Sequence, residues 1–94
     1  MYITIVGTFK YFGPEIFKVN QTLWLEKEPN NDYDEEAIRV VSETGATLGY
    51  VANSMHTKAK GTRSAGRIYD TFEDKAKIQV RFILKDSIIA QIIL

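Results

Sequence analysis

The sequence predicts a mainly β fold with one or two short helices, arranged as a six-stranded antiparallel β-barrel or a strongly curved sheet. The segments at the two ends of the chain have the β-branched and aromatic content of strands, and two segments, 22–28 and 75–84, carry apolar residues at every second position. Two more segments flank a glycine-containing turn at residues 43–45. One segment in the second half changes to the helical period. Because so small a sheet would leave exposed edges if it stayed open, we expect it to close into a barrel. A single domain is expected over residues 1–94, since no linker or repeat divides them.

The predicted strands cover residues 2–8, 22–28, 37–42, 46–52, 75–84 and 87–94. The fifth strand alternates from Ile78 to Leu84, and Phe82 is predicted to face inward like its apolar neighbours on that face. Gly45 can supply the left-handed residue of a hairpin turn between the third and fourth strands. Lys85-Asp86 has the length of a hairpin connection between the last two.

The helical segment follows Ser64, which is the expected N-cap. Its residues of apolar character fall at helical spacing: Ala65, Ile68, Tyr69 and Phe72. A shorter helical turn, capped by Asn53 or Ser54 and ending near Gly61, is also expected before it.

Charge is balanced over the whole chain but uneven along it. Twelve basic and twelve acidic side chains give a formal net charge of zero, so any nucleic-acid site must rest on a local patch. Acidic residues crowd positions 26–36, whereas the stretch 56–67 contains basic residues and no acid. The basic stretch is therefore the part of the chain best suited to phosphate.

The composition also bears on the compartment. The absence of cysteine excludes disulfides, thiolate metal sites and cysteine nucleophiles, and it fits a reducing environment. The apolar residues 1–6 lack a basic leader and are too few for a signal peptide or a membrane-spanning helix. We therefore expect a cytoplasmic protein with no membrane partner.

Sequence features of an enzyme are missing. His56 is the single histidine, no serine lies in a nucleophile-elbow motif, and no nucleotide loop of the form GxxxxGK(S/T) is present. The acidic residues 32–36 lack the spacing of a calcium loop and the histidine or cysteine partners of a zinc site. A non-catalytic protein with no metal or cofactor is therefore expected.

A proline-asparagine segment interrupts the strands after residue 28. Residues 28–40 read Glu-Pro-Asn-Asn-Asp-Tyr-Asp-Glu-Glu-Ala-Ile-Arg-Val. Pro29 fixes its own φ and the two asparagines favour turns, so Tyr33 and Asp34 should lie on a rigid corner. A tyrosine beside a carboxylate offers a stacking face and a hydrogen-bond acceptor, which suits an unpaired base and a sugar hydroxyl.

This segment resembles the signature of the HIRAN domain family. Two further blocks lie on the expected sides of it, Val6-Gly7-Thr8-Phe9-Lys10-Tyr11 and Leu48-Gly49-Tyr50-Val51. The resemblance implies an OB-like barrel that captures the 3′-hydroxyl end of single-stranded DNA and that accompanies Swi/Snf-type ATPases or fork-remodelling helicases. It also implies that Tyr33 stacks on the terminal nucleotide, that Asp34 accepts from its hydroxyl, and that Tyr11 is an aromatic of the first loop.

Three positions depart from the family pattern. Phe9 replaces an arginine and has Lys10 beside it, Tyr50 replaces a histidine, and Asn53 replaces a lysine. Fewer fixed cations predict weaker phosphate binding. Small bacterial stand-alone HIRAN proteins are similar to the chain in residues 52–54 and 60–67. In this part of the chain, the arginine, histidine and lysine that the family pattern has at positions 9, 50 and 53 can be replaced as phosphate partners by other basic residues: Lys58, Lys60, Arg63 and Arg67.

We therefore expect a non-catalytic module that binds single-stranded DNA, at its 3′-hydroxyl end, in repair or remodelling, with a helicase or ATPase chain as a possible partner. An alternative is a protein-interaction module that docks a partner in the same groove, or through Trp24 and the last strand. Each of these features also has a purely structural interpretation. Tyr33 and Asp34 can form an Asx-type turn in which the tyrosine ring is packed, and the basic stretch can be a solvated face of a helix.

Overall fold

The computed structural model describes residues 1–85 and 87–93 and contains a closed barrel of six antiparallel strands. The strands are β1 (Tyr2–Val6), β2 (Thr22–Lys27), β3 (Ile38–Val41), β4 (Thr47–Val51), β5 (Lys75–Ile83) and β6 (Ile88–Ile93). Around the barrel they follow the order β1-β4-β3-β2-β5-β6, and β6 pairs with β1 to complete the closure. The predicted mainly β, OB-like barrel is thus confirmed.

The hydrophobic core fills the barrel with alternate residues of the strands. On β2, Leu23 and Leu25 are buried, and Trp24 between them is half-buried. Burying one such aliphatic side chain stabilises the fold by about 1.5–3 kcal/mol. The buried cluster consists of Ile3, Ile5, Phe17, Leu23, Leu25, Ile38, Val40, Leu48, Val51, Ala65, Ile68, Ile78, Val80, Ile88, Ala90 and Ile92.

The predicted helix is present but short. It consists of one α-helical turn, α1 (Ala65–Ile68), followed by a 3-10 turn at Tyr69–Thr71. Ser64 is the N-cap as predicted, because its hydroxyl accepts the backbone N–H of Arg67. The chain becomes extended at Phe72 and enters β5 three residues later, so the helix ends here. The Phe72 side chain packs against the core.

The second half of β5 differs from its predicted alternation. Its pairing with β6 shifts register between Val80 and Phe82, which indicates a bulge at Arg81. A bulge inserts one unpaired residue and changes the face on which the following side chains lie. The prediction that Phe82 and Leu84 face inward is therefore wrong, since 51% and 54% of their surfaces are exposed.

The connection after β5 is described only in part. The backbone N–H of Leu84 donates to the carbonyl of Ser87 at 2.8 Å, which links the two arms of the connection. Two predicted features lie outside the described residues: Asp86 in the connection and Leu94 at the end of the last strand.

Two loops also differ from the prediction. The first contains 3-10 helices at Thr8–Lys10 and Pro14–Ile16, which the sequence pattern did not indicate. The second, predicted as a helical turn before Gly61, is a hydrogen-bonded turn in which Thr57 and Lys58 donate their backbone N–H groups to the carbonyl of Ser54. Within residues 1–85 and 87–93, no helix has the length and apolar character needed to cross a membrane.

The chain between β4 and α1 crosses the outer face of β1 and is fixed there by hydrogen bonds. Thr4 is fully buried although it points away from the core, because this segment covers it. Its hydroxyl accepts the N–H of Ala59 at 2.9 Å and lies 2.7 Å from the hydroxyl of Thr62. The N–H of Arg63 donates to the carbonyl of Tyr2 at 2.7 Å. The basic stretch is therefore held on the barrel wall.

Candidate nucleic-acid interface

The proline-asparagine corner between β2 and β3 is organised by Asn31. The side-chain oxygen of Asn31 accepts the backbone N–H groups of Tyr33 and Asp34 at 2.9 and 3.1 Å. Its amide nitrogen donates to Glu28 Oε1 at 3.0 Å, and Asp34 Oδ1 accepts the N–H of Glu36 at 2.9 Å. Two successive Asx turns thus hold this corner without regular secondary structure.

The ring of Tyr33 extends into solvent. It is 97% exposed, although the backbone beneath it is held by the Asx turn. The Asx-type turn is therefore present, but the interpretation of Tyr33 as a packed ring is wrong. Together with the preceding residues of the corner, Tyr33 lines an open depression of about 400 Å³.

Tyr11 and Tyr50 form a second aromatic feature beside the corner. Their ring centroids are 6.2 Å apart and their planes are tilted by 42°. The hydroxyl of Tyr50 donates to Glu28 Oε1 at 2.8 Å. Burial, and then the hydrogen bond to Glu28, raise the pKa of the Tyr50 phenol above its ordinary value. The Tyr50 hydrogen bond thus links β4 to the corner, and the ring contact with Tyr11 links the first loop to β4.

Asn53 connects the corner to α1. Its side-chain amide donates to Asp34 Oδ2 at 2.9 Å, and its side-chain oxygen accepts the backbone N–H of Gly66 at 2.8 Å. A longer contact of 3.4 Å joins the same amide to Glu36 Oε1. Because all its polar atoms are used in this way, Asn53 positions the carboxylate of Asp34 relative to the basic stretch.

A concave surface of about 480 Å³, which we call the basic groove, lies next to Asn53. It is lined by Asn53, Met55, Lys58, Gly61, Thr62, Arg63, Ser64 and Arg67. Within residues 1–85 and 87–93, the ion pairs all involve Glu26 or Glu28, so the groove cations have no carboxylate within 4.0 Å there. The groove therefore offers charges that can neutralise phosphate.

Two predicted cations lie outside the groove. Lys60 lines a neighbouring cavity together with Tyr2 and Phe82. Lys10 is exposed at the end of the 3-10 helix that precedes Tyr11 and is not among the groove's lining residues. The structure thus brings together Asn53, Lys58, Arg63 and Arg67, joins Asp34 to them, and leaves Lys10 and Lys60 at the margins.

Several features of this surface were not predicted from the sequence. The Asx turn at Asn31 could have been predicted from the sequence, because the asparagine lies two residues before Tyr33 and three before Asp34, which is the spacing of such a turn. The contacts of Asn53 join residues 13 and 19 positions apart and had no such signal. In the part of the chain that the structure describes, no three acidic or histidine side chains are grouped as metal ligands.

Comparisons with known proteins agree with the fold. A family model described as HIRAN domain matches residues 1–85. The crystal structure of the HIRAN domain of human HLTF is similar, with a TM-score of 0.69 and 22% identity over 98% of this chain and 71% of that chain. A protein from Lactobacillus plantarum, solved as a structural genomics target, has a TM-score of 0.66 and 21% identity over 97% and 87% of the two chains.

At these identities the solved structures support the fold alone, and the comparison with curated proteins found no match. The family model carries the assignment, because it covers most of the chain. HIRAN domains are known as DNA-binding modules and are generally non-catalytic. The chain therefore belongs to the HIRAN domain family.

Proposed function

We propose that this chain is a non-catalytic module that binds single-stranded DNA and recognises its 3′-hydroxyl end at the corner and the basic groove. The observation that carries the proposal is the link from Asp34 through Asn53 to Gly66. It sets an exposed aromatic ring and a carboxylate beside a groove whose cations form no ion pair with the carboxylates of residues 1–85 and 87–93. These are the groups that a strand terminus needs: a stacking face, a hydroxyl acceptor and phosphate partners.

The exposed ring of Tyr33 can stack on the terminal base without moving any core residue. Its 97% exposure means that the full face is available, and the Asx turn at Asn31 limits the backbone entropy lost on binding. Tyr50, which is hydrogen-bonded to Glu28, and Tyr11 next to it provide further aromatic surface. Stacking on an aromatic side chain contributes roughly 1–3 kcal/mol per base.

Asp34 is suited to accept a hydrogen bond from the terminal hydroxyl. Each of its carboxylate oxygens accepts one hydrogen bond within the protein, from Glu36 and from Asn53. An ionised carboxylate has about four acceptor positions, so acceptor capacity remains for a ligand. A terminal phosphate in the same place would bring a second negative charge towards Asp34 and would be disfavoured.

The cations of the basic groove would hold the phosphates that precede the terminal nucleotide. Lys58, Arg63 and Arg67 line one concave surface, and Lys10 is exposed in the loop that carries Tyr11. Phosphate neutralisation supplies sequence-independent affinity that decreases with salt. We also propose a biological setting in DNA repair or remodelling, in the cytoplasm, where a separate helicase or ATPase chain would supply the motor.

A titration of labelled oligonucleotides with free and phosphorylated 3′ ends tests this proposal. We expect tighter binding of the free end, and we expect Asp34→Asn to reduce the preference because it removes the charge that repels a terminal phosphate. Tyr33→Ala should cost roughly 1–3 kcal/mol of binding, whereas Tyr33→Phe should keep most of the stacking. Because the Tyr33 ring makes little contact with the fold, thermal melting should be unchanged in both variants.

The same titration contains the outcomes that would count against the proposal. Equal affinity for both ends would remove the 3′-hydroxyl specificity and leave general single-strand binding. No binding at low salt would instead favour a docking site for a protein partner, a function for which the exposed Phe9 and Phe12 of the first loop offer apolar surface. Strand addition at β6 is not available to such a partner, because β6 already pairs with β1 and β5.

A further inference from the structure

Two aromatic side chains lie next to each other on the outer wall of the barrel, beyond the basic groove. Tyr2 starts β1 and Phe82 follows the β5 bulge, and their ring centroids are 6.4 Å apart with a tilt of 39°. They are 38% and 51% exposed. The bulge at Arg81 explains why Phe82 points outward, where a regular strand would have buried it. We call this pair the aromatic step.

The aromatic step is continuous with the basic groove. The cavity beside it, of about 350 Å³, is lined by Tyr2, Lys60, Gly61, Thr62, Phe82 and Ile89. Gly61 and Thr62 also line the basic groove, so the two concave surfaces share a border. Gly61 has no side chain and a φ of +89°, and the space where a Cβ would stand is open. At Gly61, therefore, no side chain stands between the two concave surfaces.

The chemistry of this border favours a nucleic acid over an apolar protein segment. Lys60 is exposed at the same cavity, so a cation accompanies the two rings. The N–H of Arg63 bonds to the carbonyl of Tyr2 at 2.7 Å, which fixes the cationic loop against the start of β1. Alternation of aromatic faces with cations along a track is the arrangement that binds single strands through stacking and phosphate contacts.

We propose that the aromatic step is a second base-stacking platform of the same binding surface. A strand held in the basic groove continues over Gly61, one of its internal bases stacks on Tyr2 and Phe82, and Lys60 contacts the adjoining phosphate. This inference rests on the proposed function, and it adds that the site extends away from the strand terminus. Oligonucleotides long enough to reach the step therefore bind more tightly than those that fill only the corner and the groove.

The experiment compares oligothymidylates of about 3 and about 12 nucleotides, since one OB fold spans roughly 4–16 nucleotides. Fluorescence anisotropy gives the affinity of each for the wild type, Phe82→Ala, Phe82→Leu and Phe82→Tyr. We expect Phe82→Ala and Phe82→Leu to weaken binding of the long oligonucleotide about ten-fold and leave the short one unchanged. Phe82→Tyr should resemble the wild type, because it keeps the aromatic face.

A matched control is provided by Ile83→Ala, which removes an exposed apolar residue from the next position and from a different cavity. It should leave both affinities unchanged. Unchanged short-oligonucleotide binding in the Phe82 variants also shows that they are folded. Sedimentation of the free proteins tests whether the aromatic step joins two copies of the chain.

Three results would overturn the inference. The first is equal affinity of wild type and Phe82→Ala for the long oligonucleotide, and the second is wild-type affinity in Phe82→Leu, which would indicate apolar contact without stacking. The third is self-association that Phe82→Ala removes. The proposed function fails separately, if the wild type does not bind the short oligonucleotide or if Tyr33→Ala does not weaken that binding.

Discussion

Asn53 donates its side-chain amide to Asp34 Oδ2 at 2.9 Å while its oxygen accepts the backbone N–H of Gly66 at 2.8 Å. One side chain thus joins the corner after β2 to the helical turn after the basic stretch. A lysine at this position, as the family resemblance implies, would supply a phosphate cation. The asparagine instead uses its side-chain polar atoms within the protein, so under the proposed function the phosphate contacts would be made by the cations of the basic groove.

Replacing Asn53 should affect both stability and binding. Asn53→Ala leaves the N–H of Gly66 and one oxygen of Asp34 without their partner, so we expect a loss of about 1–3 kcal/mol in the free energy of unfolding. Asn53→Asp keeps an acceptor for Gly66 but sets a carboxylate against Asp34 and Glu36, and it should bind DNA more weakly than Asn53→Ala. Urea unfolding and oligonucleotide titration measure the two effects.

The control for Asn53 is Asn30→Ala, which changes an exposed asparagine of the corner and should alter stability by less than about 0.5 kcal/mol. If Asn53→Ala were as stable as Asn30→Ala, the hydrogen bonds of Asn53 would not hold the corner.

The salt dependence of binding should report the groove cations. Arg63→Ala and Arg67→Ala each remove one cation from the lining of the groove, so each should reduce the slope of log affinity against log salt by about 0.7 for a single strand. Affinity for all sequences should fall alike, since phosphate contacts carry no base information. Titrations at several salt concentrations measure the slope.

Lys77→Ala is the matched control for this series. It removes the same charge from a lysine whose amine lies 5.9 Å from the ring centre of Trp24, on β5, and which does not line the groove. Its slope should equal that of the wild type. If all three variants lowered the slope equally, binding would depend on overall charge and not on the basic groove.

Glu26 should make the barrel sensitive to acid. Its carboxylate accepts from Arg39 and lies 3.2 Å from Lys75, on the strands to either side of β2. The hydrogen bond from Arg39, and then that from Lys75, hold the pKa of Glu26 below its ordinary value. Because this pKa is lower in the folded protein, the stabilisation is fully present at pH values above the ordinary glutamate pKa. It is lost as the pH falls through the pKa that Glu26 has in the folded protein.

We therefore expect Glu26→Gln to be less stable than the wild type at neutral pH, by an amount on the order of 1 kcal/mol. The difference should shrink as the pH falls below the ordinary glutamate pKa and through the lower pKa of the folded protein, where the wild-type carboxylate becomes protonated. Urea unfolding across this range measures it, with Glu43→Gln in an exposed turn as the control. A difference that stays constant with pH would exclude the ion pairs as its cause.

Much of the fold could be predicted because its signals are local. β-branched and aromatic content, alternation in β2 and β5, and the turn at Gly45 together indicated the six strands. Ser64 was identifiable as an N-cap from its type and position. The bulge at Arg81 was not predictable, because it arises from the register between β5 and β6 and not from the pattern of either strand. The same shift turned Phe82 outward, so the aromatic step also depends on strand pairing.

The corner was predictable in kind, since Pro29 and the asparagines limit the backbone over a few residues. Its relation to the cations was not, because the partners of Asn53 are distant in sequence. Lys58 and Lys60 are two positions apart, yet one lines the basic groove and the other lies at the aromatic step. A run of basic residues does not reveal how a loop distributes them over a surface.

By itself, the sequence determined the strand content, the family and the presence of a turn that carries Tyr33 and Asp34. These follow from side-chain type and spacing over a few residues, which act before the chain is folded. The tertiary structure decided which face Phe82 occupies, which cations lie together, and that Asn53 joins them to the carboxylate. Those relations depend on barrel closure, because only the pairing of distant strands brings the segments within hydrogen-bond distance of one another.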